Sequence, residues 1–137
     1  MKTQHTVKDL RAEQVRLLRF EKALVNACRN FVAGKPLDKA PVLASLSALA
    51  ASAAAVSAKL GTDAPLQLVA DAKRAAAAGP VDEASWLINL AEAASRSHAY
   101  LEAIARDGAF RLLEAGGGTP KTDTTETVTS LLMNGPF

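Results

Sequence analysis

A chain of 137 residues with 49% hydrophobic residues and a net charge of +2 has enough apolar content for one buried core, and that size needs no disulfide or metal to hold it. Aromatic residues make up only 4% of the sequence while alanine occurs 29 times, which argues against a β-sheet protein and for close-packed helices. The single Cys28 excludes an intrachain disulfide, and the polar stretch 1–9 does not resemble a signal peptide, so the cytoplasm is the expected compartment.

The spacing of apolar residues predicts a first helix from a cap at Thr6 to about Ala33, ended by Gly34, Lys35 and Pro36. Leu10, Leu17, Leu18, Leu24, Val25, Cys28, Phe31 and Val32 form one stripe for burial, while Lys8, Arg11, Arg19, Lys22 and Arg29 fall on roughly the opposite face. Gln14 and Glu21 share the apolar stripe. A buried carboxylate is costly without a hydrogen-bonded cation; Arg96, Arg106 or a residue of another subunit is a candidate for that cation, but partial exposure at an edge of the bundle is the plainer expectation for these two.

A second helix is expected from an Asp38 cap to Leu60, with Leu43, Leu46, Leu49, Ala53, Val56 and Leu60 on its packing seam and Gly61 as its stop. Its residues 40–58 carry no charge and reach the minimum length for crossing a bilayer. Nine of the 19 are alanine and four are serine, however, so a buried helix is preferred over a membrane span. A third helix, capped by Thr62, is predicted from about Asp63 to Ala78, where Gly79-Pro80 stops it.

A fourth helix is expected from Asp82 to about Ala115, burying Leu87, Leu90, Ala94, Leu101, Ile104, Ala105, Leu112 and Leu113. The run Gly116-Gly117-Gly118 and the Thr-rich stretch after it predict an extended arm, tipped by Val128, Leu131, Leu132, Met133 and Phe137. The expected architecture is all-α: an up-down-up-down bundle of four helices over residues 1–115 and a C-terminal arm over 116–137.

Catalytic chemistry finds little to work with. His5 and His98 are the two histidines, and neither sits beside an activated nucleophile in the sequence. His98 with Glu102 one turn on is an arrangement that can tune proton transfer, but it reads more simply as a boundary histidine. One Cys and two His do not supply a zinc set, and no phosphate-binding glycine loop opens a helix. No cofactor, metal or catalytic residue is therefore assigned.

Charge is distributed unevenly along the chain. Residues 1–40 hold nine Lys/Arg against four Asp/Glu, and residues 81–137 hold four against eight. This polarity suits contact between protein copies or with an acidic partner. Together with the alanine rows and the apolar arm tip, it leads to a non-enzymatic structural or assembly protein, homo-oligomeric or part of a larger particle such as a bacteriophage virion. Val128, Leu131, Leu132, Met133 and Phe137 are its expected docking residues. The alternative is a nucleic-acid-binding helical protein that uses Lys8, Arg11, Arg19, Lys22 and Arg29.

Overall fold

The computed structural model describes the backbone of residues 2–106 and 124–134, and the side chains of 10–59, 61–102 and 124–133. It is all-helical over these residues, with α1 at Lys2–Val32, α2 at Ala40–Leu60, α3 at Ala64–Ala77, α4 at Glu83–Arg106 and α5 at Thr124–Asn134. No strand occurs among the described residues.

Helix ends follow the local chemistry. The α1 helix begins at Lys2 rather than at the expected Thr6 cap, since no Gly or Pro interrupts residues 2–5. Before α2, Asp38 Oδ1 accepts the Ala40 N–H at 3.1 Å. Gly61 ends the helix in the left-handed region at φ 69°, where its N–H returns to the Ser57 carbonyl. Thr62 Oγ1 takes the Ala64 N–H and Ser57 Oγ the Leu66 N–H, which satisfies two first-turn donors of α3. Asp82 caps α4 through the Ser85 N–H at 2.8 Å, and this bond holds its carboxyl below the ordinary range.

The helices pack in order, α1 on α2, α2 on α3 and α3 on α4, and α4 closes back on α1. The core of α1 comprises Leu10, Leu17, Phe20, Leu24, Ala27 and Cys28; that of α2 comprises Val42, Leu46, Leu49, Ala53 and Val56. The α2 set repeats at spacings of four and three, so Val42 holds the place expected for Leu43, which is 41% exposed. Trp86, Leu87, Leu90, Ala91, Ala94 and Leu101 complete the core from α4. The Trp86 ring lies under Lys39 Nζ at 4.7 Å, and its indole N–H donates to the Ala76 carbonyl at 3.0 Å. One residue thus joins the start of α2, the end of α3 and the start of α4.

Two further sequence expectations are corrected. The extended arm is a helix over 124–134, packed on both α1 and α4. This segment lacks Gly and Pro, Glu126 lies in its first turn, and Val128, Leu131 and Leu132 share one face; burial of that face outweighs the weak helix preference of its four threonines. Likewise α2 is not completely buried. Only 39% of its apolar window is covered; among the described residues α2 packs against two helices, α1 and α3. The expected end of the fourth helix at 107–115, the glycine run at 116–118 and the boundary at 115/116 lie outside the described residues.

Candidate functional site

The richest polar constellation lies where α5 meets α1 and α4. Glu21 is 3% exposed in the middle of α1. Its Oε2 accepts from the wholly buried Thr124 hydroxyl at the start of α5, and its Oε1 lies 3.5 Å from His98 Nδ1 of α4. On the other side of the imidazole, Glu102 Oε2 is 3.7 Å from Nε2. The histidine therefore stands between two carboxylates from different helices.

One turn away, Ser95 Oγ and Thr125 Oγ1 are 2.7 Å apart, and Thr125 Oγ1 also donates to the Ala91 carbonyl at 3.1 Å. Further along the same seam Cys28 Sγ approaches the Val128 carbonyl at 3.8 Å. Burial raises the Cys28 thiol above its ordinary pKa, which makes it a packing residue rather than a nucleophile.

This arrangement corrects the expectation for Glu21. It is buried rather than exposed at the edge of the bundle, and its partners are Thr124 and His98. Its burial was invisible in the sequence because both partners are distant, 77 and 103 residues away. The 0% exposure of Thr124 keeps its hydroxyl from any substrate, so the cluster works as a fastening for α5.

A second polar group sits on the seam between α1 and α2, and sequence reasoning missed it. Glu13 is 2% exposed and its Oε1 has no hydrogen-bond partner. The Ser52 hydroxyl donates to its carboxyl and accepts from Arg16 Nη1 at 3.4 Å. Desolvation outweighs both the hydroxyl and the nearby guanidinium, and raises the Glu13 pKa to about 7. Beside Ser52 opens a groove of about 380 Å³ walled by Ala12, Arg16, Ala48, Ala51, Ser52 and Ala55. The signal available in the sequence was the position of Glu13 four residues before Leu17 and seven before Phe20, on their buried face.

The predicted docking residues divide. Val128 is fully buried by the chain's own bundle, Leu131 and Leu132 pack partly against the core, and Met133 is 79% exposed. Phe137 lies outside the described residues. On the predicted basic face, Arg11, Arg19, Lys22 and Arg29 are all exposed, whereas the Lys8 side chain lies outside the described set. Among the described residues no group of three or more His, Cys, Asp or Glu is placed to hold a metal ion. The outward side of α2 presents Leu43, Ala44, Ser47, Ala48, Ala51, Ala54, Ala55 and Ala58 without one charge. Comparison of the chain with family models, with curated proteins and with solved structures finds no match.

Proposed function

We propose that this chain is a non-enzymatic assembly protein that acts by helix packing and by docking of its C-terminal helix, in a homo-oligomer or a larger particle of which a bacteriophage virion is one example. The observation that carries the reading is the outward face of α2, uncharged from residue 40 to 58 and less than half covered by its own bundle. Contiguous exposed apolar surface marks an interaction site. Small side chains on that surface let a second backbone approach closely. The packing order of α1 to α4, closed by α1 against α4, supports an up-down-up-down four-helix arrangement beneath it. In this reading the protein works in the cytoplasm or within the particle, and has no cofactor.

Sedimentation of the full chain, alone and with candidate partner proteins, tests the proposal. An Ala51→Glu variant, which plants a charge in the middle of the α2 face, should lose assembly while keeping its helical circular dichroism. A wild-type chain that stays at monomer mass under every condition would overturn the reading.

The second reading is nucleic-acid binding, favoured by the exposed row of Arg11, Arg19, Lys22 and Arg29 on α1. It requires salt-sensitive affinity for DNA or RNA. The membrane alternative requires α2 to partition into vesicles, and its low content of large apolar side chains disfavours that.

A further inference from the structure

We infer that the α1/α4 groove which seats α5 also accepts α5 from a second copy of this chain, so that two copies exchange these helices reciprocally. The inference rests on the assembly reading above and names the partner and the contact. Its starting point is that α5 depends on its groove, and that the fastening there is largely polar. At 11 residues it is shorter than the roughly 12–15 residues at which an isolated helix begins to hold its shape, so it folds by docking. That docking uses one fully buried apolar residue, Val128, and a polar row formed by Thr124 with Glu21, Thr125 with Ser95, and Thr125 with the Ala91 carbonyl. Leu131 and Leu132 are partly buried against the core. Withdrawing α5 leaves the contacts among α1, α2, α3 and α4 in place.

Chain length permits the exchange. The start of α5 lies beside Ser95, about 16 Å of helix back from Arg106. Residues 107–123 separate the two helices in sequence, and a stretch of that length reaches about 56 Å when extended. The tether therefore does not oblige α5 to use its own groove. Every copy carries both the groove and the helix, so exchange reproduces every contact without a new complementary surface, which is the usual low-cost route to a two-fold dimer. Glu21 of each copy then receives its hydroxyl donor from the other.

Disulfide trapping across the seam tests this. Two full-length chains, both carrying Cys28→Ser, are prepared with Ser95→Cys in one and Thr125→Cys in the other. They are mixed in denaturant and refolded in a glutathione buffer. The two hydroxyls are 2.7 Å apart, so replacement by thiols brings the sulfurs together only when α5 of one chain sits on α4 of the other. Exchange predicts a heterodisulfide that grows with total protein concentration, keeps the helical circular dichroism and elutes at twice the monomer mass.

The double variant Ser95→Cys/Thr125→Cys on a single Cys28→Ser chain controls for geometry. An intrachain bond there with no heterodisulfide in the mixture overturns the exchange. If the wild-type chain nevertheless sediments above monomer mass, the assembly reading survives and only the exchange falls; if it stays monomeric, both fall. Should the control close no bond, native Cys28 in one chain and Val128→Cys with Cys28→Ser in the other give a second pair on the same seam, and an intrachain bond in the Val128→Cys chain that keeps Cys28, with no heterodisulfide in the mixture, overturns the exchange equally.

Discussion

Glu13→Gln should make the protein more stable at alkaline pH and hardly change it in acid. The Glu13 pKa rises from its ordinary 4.5 to about 7 because burial penalises the carboxylate more than Ser52 and Arg16 stabilise it. Below pH 4.5 the group is protonated whether the chain is folded or not, and it costs nothing. Between 4.5 and 7 the unfolded chain releases the proton while the folded chain keeps it, so stability falls as pH rises. Above 7 the whole penalty is present, at most about 3 kcal/mol from a displacement of that size. Glutamine keeps the shape, accepts from Ser52 and cannot ionise. Urea denaturation followed by circular dichroism at pH 4.5, 6 and 8 reads the difference between wild type and variant, in which other titrating groups cancel. The variant should gain about 2–3 kcal/mol on the wild type between the lowest and highest pH. Parallel pH profiles for the two proteins, or a variant less stable at pH 8, would refute the assignment of a buried, desolvated carboxyl.

Leu17→Ala and Leu101→Ala remove side chains that are 3% and 4% exposed, and each should cost about 2–5 kcal/mol in chemical denaturation. Thr124→Val removes the hydroxyl that serves buried Glu21, so α5 should loosen at a cost of about 1–3 kcal/mol, seen as faster amide exchange in 124–134 than in α1. Replacing Arg11, Arg19 and Lys22 by Gln should leave assembly intact. If the wild type binds DNA or RNA at all, the same variant should flatten the salt dependence by about one unit of slope for each lost phosphate contact; no salt-sensitive binding by the wild type removes that alternative.

The helical class and most helix boundaries were legible because Gly34, Pro36, Gly61, Gly79 and Pro80 punctuate strong helical periodicity. The core of α4 was equally legible, since Leu87, Leu90, Ala94 and Leu101 repeat at helical spacing. What escaped depends on contacts distant in sequence. A local view weighs the Thr content of 124–130 against a helix, yet the decisive term is burial of Val128 on α1 and α4. Glu21 reads as an edge residue until α5 delivers Thr124 and α4 delivers His98. Glu13 lies one turn before Leu17 and shares its burial, but a charged residue at such a position is assigned to solvent unless its hydroxyl partner on α2 is known. The outward face of α2 was hidden for the opposite reason: composition alone makes an uncharged alanine helix look enclosed, and only the exposure of its residues in the folded chain shows the face.

Trp86 is the only tryptophan in the chain, and its place beneath Lys39 and against the Ala76 carbonyl gives the protein a built-in optical reporter with a known address. Its surroundings are dry, yet a cation lies over the ring and a carbonyl accepts from the indole nitrogen, so its emission responds to the electric field at that junction as well as to water. The reporter watches the end of the bundle where α2 begins and α3 hands over to α4. The seam of α5 is fastened through other residues, Glu21, Ser95 and Cys28. Light emitted from this residue therefore separates two events that a global signal merges: departure of the C-terminal helix should leave the colour unchanged, while opening of the junction of Lys39, Ala76 and Trp86 should shift it toward that of indole in water.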